Sequence, residues 1–189
     1  LELKYDNRIV EEKKKVLVVG GGIGGMQAAL TAADRGHKVI LCEKTDRLGG
    51  TLRCEEKVPF KAKLDTYLNY QERAVKNAAI DLRMNTEVTP EYAKELKPDV
   101  IIAATGARPV KPPIPGIDGK NVIAAEDAYV NPEKTGDSVV ILGAGLVGIE
   151  MGIYLAMMGK KITLVEMAPQ WNDGGNFLHA SGLRVQIKK

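Results

Sequence analysis

The chain has 189 residues, of which 44% are hydrophobic and 27% charged, and its formal net charge is +3 at pH 7. This composition is typical of a globular protein with one large or two small domains, and the small, dispersed charge favours neither a nucleic-acid nor a membrane-surface partner. No apolar run approaches the ~20 residues of a membrane-spanning helix, and the N-terminus lacks a signal-peptide pattern. We therefore expect a cytoplasmic protein.

The first predicted elements form a βαβ unit between Lys15 and Glu43. An apolar run from Val16 to Val19 is typical of a buried parallel strand, and the small residues from Met26 to Ala33 favour a helix that ends at Gly36. The run "HKVILCE" is then a second buried strand. Strand, glycine-rich turn, helix and strand follow one another as in open α/β folds.

The turn of this unit contains a spacing typical of phosphate binding. Gly20, Gly22 and Gly25 match G-x-G-x-x-G, in which the glycines permit the turn, a close backbone approach to phosphate, and packing of helix on strand. Glu43 ends the second strand, where a carboxylate accepts hydrogen bonds from the ribose of an adenine dinucleotide. A single match is weak evidence, because a tight α/β turn can have the same glycines.

The middle of the chain predicts a helix, a strand and a linker. Apolar residues keep helical spacing from Lys61 to Ala78 and predict a core-facing helix. Val100 to Ala103 predicts another buried strand, which stops at Thr105 and Gly106. Prolines exclude a helix in "RPVKPPIPGIDG", which is typical of an interdomain connection. The predicted division is a first domain of residues 1–108, a linker of residues 109–121 and a second domain of residues 122–189.

The segment "SVVILGAGLVGIEMGIYLAMMGKKITLVE" repeats the order strand, glycine turn, helix and strand. Gly143 lies 123 positions after Gly20, and Glu166 lies 123 positions after Glu43. In each copy the third glycine is followed by 17 residues and then by the glutamate. Two copies with identical spacing predict two dinucleotide sites. Two such sites indicate a flavin and a nicotinamide, because hydride transfer needs a donor and an acceptor face to face.

The residues around each copy distinguish the two sites. The first copy continues "EKTDRLGG", in which Gly49 and Gly50 allow a second close backbone approach that suits the long prosthetic group FAD. The second copy lacks such a doublet and favours a dissociable cofactor. Glu166 would repel a 2′-phosphate and no arginine closely follows it, so NADH is favoured over NADPH, although Lys160 and Lys161 precede the strand.

Other chemistry-bearing side chains predict no catalytic residue and no metal site. Cys42 and Cys54 have neither C-x-x-C spacing nor a second pair to join, so we expect two reduced thiols. His37, His179 and Trp171 have no neighbours in the sequence that would make them catalytic.

With both glycine turns, the "EKTDRLGG" loop and the "AATGARP" segment, the chain resembles the flavoproteins with two dinucleotide-binding domains. Within them it is most similar to the C-terminal half of NADH:flavin oxidoreductases of the old yellow enzyme type, the group of 2,4-dienoyl-coenzyme A reductase and trimethylamine dehydrogenase. "VPFK" (Val58 to Lys61) and "VIAAEDAY" carry this narrower resemblance, which covers residues 15–168. It implies an α/β fold of two Rossmann-like three-layer domains with parallel sheets, the second incomplete.

The resemblance also implies the residues of both sites. It places FAD on the first turn and the nicotinamide cofactor on the second, each with its ribose on the glutamate of that copy. The implied FAD site is Gly20, Gly22, Ile23, Gly24, Gly25, Glu43, Lys44, Gly49, Gly50, Thr51, Ala104, Thr105 and Gly106, and the implied nicotinamide site is Gly143, Gly145, Leu146, Val147, Gly148, Glu150 and Glu166.

In enzymes of this type NADH reduces FAD, and electrons pass through an iron–sulfur cluster to FMN in an N-terminal (β/α)₈ barrel that reduces the organic substrate. This chain begins at Leu1 and has neither a barrel before the first turn nor a cysteine cluster for iron and sulfur. We therefore expect a truncated piece, with the FMN-binding barrel of a parent chain as its partner. The tail predicts at most a short helix and one strand, Leu183 to Ile187, and unpaired sheet edges predict self-association.

Alternatives to an electron-transfer module differ in what the glycine turns do. A structural module could hold ADP or FAD without turnover. A scaffold with purely structural glycines would leave two matched glutamates at strand ends without a hydrogen-bonding role. A disulfide reductase needs a redox dithiol beside the flavin, and Cys42 and Cys54 lack the spacing of a redox motif.

Overall fold

The computed structural model describes residues 9–171 and 177–187, and the side chains of all of these except residues 177–180. For the described residues the chain divides into two compact units. The first comprises Leu1–Glu56 and Ala62–Val110, and the second Lys57–Lys61 and Lys111–Lys189. The short segment Lys57–Lys61 therefore belongs to the second unit, and the predicted linker spans the later change of unit. Its role as a linker stays a prediction.

The described part of the first unit contains four parallel strands in the order β3-β2-β1-β4. Val16 of the central strand pairs with Val39 on one side and Val100 on the other. The turn after β2 continues into a 3₁₀ helix, Gly50–Glu55. The elements are β1 (Lys15–Val19), α1 (Ile23–Asp34), β2 (Lys38–Cys42), α2 (Ala62–Asn77), β3 (Ile80–Arg83), α3 (Pro90–Leu96) and β4 (Val100–Ala103).

The core of the first unit fills both faces of the sheet, because successive strand residues point to opposite sides. Val16 and Val18 face one layer, where Met26 of α1 and Leu68 of α2 are fully buried. Leu17, with its β2 neighbours, faces the opposite layer, which contains residues of α3. The continuous apolar runs thus form buried parallel strands, as predicted for β1 and β2.

Strand β4 differs from the prediction of a buried strand. Val100 is 39% exposed and Ile101 is 53% exposed, because β4 is the edge of the described sheet and pairs with β1 alone. Self-association at this edge stays a prediction. Strand β3 and helix α3 have no counterpart in the sequence analysis, since "IDLR" is short and alternates apolar with charged residues.

In the described part of the second unit two parallel strands pair along their whole length. The helix between them is largely buried, and Ile149 and Ile153 pack with Ala144, Leu183 and the partly buried Phe60. The segment Lys57–Lys61 contributes a 3₁₀ turn, Pro59–Lys61. The elements are α4 (Ala125–Val130), β5 (Ser138–Leu142), α5 (Leu146–Met157), β6 (Lys161–Val165) and α6 (Phe177–Ile187).

The predicted strand from Leu183 to Ile187 is wrong, because these residues end helix α6. Leu183 is 3% exposed and packs against the core of the second unit, and such packing overrides local strand propensity. Trp171 lies 5.3 Å from the Arg184 guanidinium, measured to the ring centroid. The side chain of His179 lies outside the described residues.

His37 and Cys42, two side chains considered in the sequence as possible functional groups, have structural contacts in the first unit. His37 accepts a hydrogen bond from the backbone N–H of Lys14 at 3.1 Å. Burial raises the pKa of the Cys42 thiol, which lies in the core. The described residues contain no group of three or more His, Cys, Asp or Glu side chains placed to hold a metal.

None of the helices in the described part of the chain has the length and apolar character that a membrane crossing requires.

Candidate functional site

The first glycine turn, between β1 and α1, is too tight for side chains. Gly20 has a φ of +104°, and a Cβ there would lie 2.3 Å from the carbonyl oxygen of Ala104. A Cβ on Gly25 would lie 1.8 Å from the carbonyl oxygen of Gly20. Both obstacles are backbone atoms that no rotamer change can move. The first and third glycines of this copy are therefore required by the fold itself.

The second turn, between β5 and α5, repeats the positive φ of the first glycine and the close approach of the third. Gly143 has a φ of +103°, and a Cβ on Gly148 would lie 1.9 Å from the carbonyl oxygen of Gly143. At Gly145, in contrast, an added Cβ would meet no described atom within 4 Å, and the same holds for Gly24 of the first copy. The packing of the described chain does not require glycine at these two positions. They border open space that a bound group can occupy.

Helices α1 and α5 begin without side-chain caps. Their N-cap residues, Gly22 and Gly145, make no side-chain hydrogen bond, and within the described residues neither helix has an acidic residue in its first turn. Thr89 shows the usual arrangement, since its hydroxyl caps α3 by accepting from the Tyr92 N–H at 3.2 Å. Uncapped N–H groups and the positive end of the helix dipole form an anion site. Both turns therefore fit the pyrophosphate of a dinucleotide.

The two glutamates make matching hydrogen bonds in the two units. Oε2 of Glu43 accepts from the Gly21 N–H at 2.7 Å, and Oε1 accepts from the Thr45 N–H at 2.9 Å. Oε2 of Glu166 accepts from the Ala144 N–H at 2.6 Å, and Oε1 accepts from the Ala168 N–H at 2.8 Å. In each case the donors lie 22 residues before and two residues after the glutamate. The repeat therefore extends from sequence spacing to atomic contacts.

The surroundings of the two carboxylates differ. Glu43 is 6% exposed and also accepts from the Thr45 hydroxyl at 2.9 Å. Glu166 is exposed. Hydrogen bonds from the backbone N–H groups of Ala168 and Ala144 lower the pKa of Glu166 below its ordinary value. Each carboxylate is thus fixed by backbone N–H groups beside a glycine turn.

A pH titration should show the lowered pKa of Glu166. The carboxylate contributes its hydrogen bonds fully above the ordinary glutamate pKa and loses them as the pH falls through the lowered value. The Ala144 and Ala168 amide resonances should therefore titrate with a midpoint below that of an unperturbed glutamate side chain, and this transition should vanish in Glu166→Gln. A midpoint at or above that value would contradict the lowered pKa.

The glycine doublet after β2 lies against the first turn. The Gly49 N–H donates to the carbonyl of Gly21 at 2.8 Å, and Gly49 forms a parallel bridge with Gly22. Gly49 and Gly50 have φ angles of +114° and +60°, and a Cβ on Gly50 would lie 3.0 Å from the Gly22 Cα. This contact brings together two segments that the sequence analysis assigns to one site.

The remaining predicted residues of the first site lie at its margin. Ala104 contacts the turn because its N–H donates to the Val19 carbonyl at 2.8 Å, next to Gly20. The residues Lys44, Thr51, Thr105 and Gly106 are exposed. All of them follow β2 or β4, at the carboxyl edge of the sheet where ligands of open α/β sheets bind.

Glu150 occupies a different setting from the other predicted residues of the second site. Leu146 and Val147 are 41% and 52% exposed, but Glu150 is 3% exposed and its Oε2 lies 2.6 Å from the Lys61 Nζ. Lys61 belongs to the motif "VPFK", and nothing in that motif indicates this partner. No periodic pattern links residues 89 positions apart, so the ion pair has no local signal.

Replacing Lys61 by methionine is expected to destabilise the second unit by on the order of 2 kcal/mol, because it removes a cation from a buried carboxylate. Lys57→Met is the matched control: Lys57 lies in the same segment with an exposed side chain, so its loss should cost less than about 0.5 kcal/mol. Urea unfolding of both variants measures the difference. Equal midpoints would show that the ion pair contributes nothing.

Comparison with known proteins identifies this architecture. Residues 14–175 match the family model described as pyridine nucleotide-disulphide oxidoreductase. The chain belongs to the pyridine nucleotide-disulphide oxidoreductase family. This membership confirms the predicted α/β fold with Rossmann-like dinucleotide binding and parallel sheets, and it implies FAD and NAD(P)H as the cofactors.

Two curated relatives of the chain are an oxidase and a reductase. The chain is 43% identical over 159 residues to an NADH oxidase of Thermoanaerobacter brockii, covering 82% of this chain and 24% of that protein. It is 38% identical over 184 residues to a cinnamate reductase of Clostridium sporogenes, covering 95% of this chain and 27% of that protein. It thus spans about a quarter of the length of these curated relatives.

A solved structure with a closely similar fold is that of a 2-naphthoyl-CoA reductase in complex with 2-naphthoyl-CoA. The TM-score is 0.91 at 34% sequence identity, over 99% of this chain and 28% of that chain. The resemblance to the C-terminal part of NADH:flavin oxidoreductases is confirmed by these relatives. The chain is a redox FAD- and NAD-binding module of an oxidoreductase family.

Proposed function

We propose that this chain is the electron-transfer module of a flavin-dependent oxidoreductase, with FAD in its first unit and NADH in its second. The observation that carries the proposal is the duplicated turn, in which an uncapped helix and a hydrogen-bonded glutamate recur in the same register. When both cofactors are bound, NADH supplies a hydride and FAD accepts it. The side chains of the module bind and orient, and none has to act as a nucleophile or base.

In the first unit the proposed FAD site has three parts. The N–H groups at the start of α1 would hold the pyrophosphate, Glu43 would accept hydrogen bonds from the adenosine ribose, and the Gly49–Gly50 doublet would allow the cofactor to pass close to the backbone. The proposed contacts are Gly20, Gly22, Ile23, Gly24, Gly25, Glu43, Lys44, Gly49, Gly50, Thr51, Ala104, Thr105 and Gly106.

In the second unit the start of α5 would hold the pyrophosphate of NADH. Glu166 would accept from the ribose hydroxyls through its lone pairs, and Glu150 would support the turn from its buried ion pair with Lys61. The proposed contacts are Gly143, Gly145, Leu146, Val147, Gly148, Glu150 and Glu166.

Preference for NADH over NADPH follows from the charges near the second turn. Glu166 is negative and would repel a 2′-phosphate, and the next residue, Met167, is fully exposed and uncharged. Lys160 could in principle compensate, but its Nζ donates to the carbonyls of Thr135 and Gly136 at 2.9 and 3.2 Å. Lys160 is therefore hydrogen-bonded before the start of β6, whereas Glu166 follows the end of that strand.

The onward path of the electrons belongs to the same proposal. The chain spans about a quarter of its relatives, which leaves room in a parent protein for a further domain. We propose that this partner is an FMN-binding barrel that receives electrons through an iron–sulfur cluster. The organic substrate would be reduced there.

Binding stoichiometry tests the two-site assignment. The chain should bind one FAD, and the FAD-loaded chain should then bind one NADH without releasing flavin, as measured by absorbance after desalting and by calorimetry. Displacement of FAD by NADH would mean a single adenine-nucleotide site and would overturn the proposal. The second candidate, a structural module for ADP or FAD, would show flavin uptake with no NADH binding.

A further inference from the structure

Arg53 connects the glycine doublet to the helical layer of the first unit. It lies in the 3₁₀ helix after the doublet, and its side chain is 10% exposed. Its Nε donates to the carbonyl of Leu48, the residue before Gly49, at 2.8 Å. Its Nη2 donates to Oε2 of Glu72 on α2 at 2.8 Å, and its Nη1 donates to Oδ1 of Asn69 at 3.2 Å. One guanidinium therefore fixes the backbone of the doublet to α2.

The guanidinium also occupies the space that a side chain on Gly49 would need. A Cβ added to Gly49 would lie 2.6 Å from the Arg53 Nε. The Gly49 N–H in turn donates to the Gly21 carbonyl in the first glycine turn. Contacts thus run from α2 through Arg53 and the doublet to the backbone beside the uncapped start of α1.

Acidic side chains hold the guanidinium in place. The Arg53 Nη1 lies 3.5 Å from Oε2 of Glu56 and 3.7 Å from Oδ1 of Asp65. The Arg53 Nη2 lies 2.8 Å from Oε2 of Glu72. A hydrogen bond from Lys76, aided by the charge of Arg53, lowers the pKa of Glu72. A guanidinium can donate in three directions within one plane, whereas an ammonium on a flexible stem cannot reproduce that fork. The geometry requires an arginine and not only a positive charge.

We propose that Arg53 is a positioning residue for FAD, a role that rests on the proposed function of the first unit. It fixes the Gly49–Gly50 doublet against the first glycine turn, so that the turn is already in its binding geometry before the cofactor arrives. Preorganised sites bind more tightly because less ordering remains to be done on association. Arg53 does not itself need to contact the cofactor.

The test compares Arg53→Met and Arg53→Lys with Lys76→Met. Lys76 pairs with Glu72 at 2.6 Å, so its loss removes a positive charge from the same cluster without removing a bond to the doublet. FAD affinity is measured by quenching of flavin fluorescence, NADH affinity by calorimetry, and folding by circular dichroism at the same temperature. NADH affinity reports on the second unit, which a role in positioning FAD should leave unchanged.

We expect Arg53→Met to raise the FAD Kd about tenfold or more while the circular dichroism spectrum and the NADH Kd stay as in the unaltered chain. Arg53→Lys should recover only part of the loss, and Lys76→Met should bind FAD like the unaltered chain. Equal FAD affinity in all variants would overturn this inference alone, as would an equal loss in Lys76→Met. Failure of the unaltered chain to bind FAD would overturn the proposed function together with it.

Discussion

Gly25→Ala is expected to abolish FAD uptake and to destabilise the first unit by about 3 kcal/mol or more. The added Cβ would lie 1.8 Å from the carbonyl oxygen of Gly20, 3.0 Å from its carbonyl carbon and 3.2 Å from the Ala104 Cβ. Two of these three atoms are backbone, so relief requires α1 to move away from β1 and β4. Urea unfolding followed by circular dichroism measures the stability, and absorbance after desalting measures retained flavin.

Gly24→Ala provides the stability control for this experiment. An added Cβ at Gly24 would meet no described atom within 4 Å, and alanine is favoured over glycine in a helix by up to about 1 kcal/mol. The variant should therefore unfold at the same or a higher urea concentration. Gly148→Ala repeats the clash in the second unit and should abolish NADH binding. A Gly25→Ala chain that unfolds and binds FAD like the unaltered chain would show that the turn is not constrained as described.

Glu43→Gln is expected to raise the FAD Kd by on the order of a hundredfold and to cost about 1–3 kcal/mol of stability. The buried carboxylate accepts three hydrogen bonds, from the Gly21 N–H, the Thr45 N–H and the Thr45 hydroxyl. A glutamine has the same shape but turns one acceptor into an amide donor, which would face an N–H group. At 6% exposure water cannot take the place of the lost bond.

Glu166→Gln is the matched comparison in the second unit. The hydrogen bonds correspond, but the carboxylate is exposed, so water can satisfy its neighbours and stability should change by less than about 0.5 kcal/mol. NADH affinity should fall while FAD affinity is retained. Isothermal calorimetry with each cofactor measures both effects. Loss of FAD in Glu166→Gln with retention in Glu43→Gln would reverse the assignment of the two cofactors.

The elements that could be predicted from sequence are those that local patterns specify. Strand, turn and helix are predicted by apolar runs such as Val16–Val19 and by the spacing from Gly20 to Glu43. These patterns are informative because steric limits act between near neighbours in the chain. The matching hydrogen bonds of Glu43 and Glu166 follow from the same spacing. The roles of these residues toward cofactors stay predictions.

The features that could not be predicted depend on distant parts of the chain. Lys61 and Glu150 are 89 residues apart, and Arg53 and Glu72 are 19 apart across a change of element. Helix α6 forms where local propensity indicates a strand, because Leu183 is buried in the second unit. No periodic pattern in the sequence indicates contacts between residues this far apart.

The central claim is that NADH reduces FAD within this chain, and anaerobic titration of the FAD-loaded protein with NADH tests it most directly. The proposal predicts that the visible absorption of the bound flavin is lost stoichiometrically and returns when air is admitted. Glu166→Gln should require more NADH for the same loss. Flavin that stays oxidised at saturating NADH, in a chain that binds both cofactors, would contradict the claim.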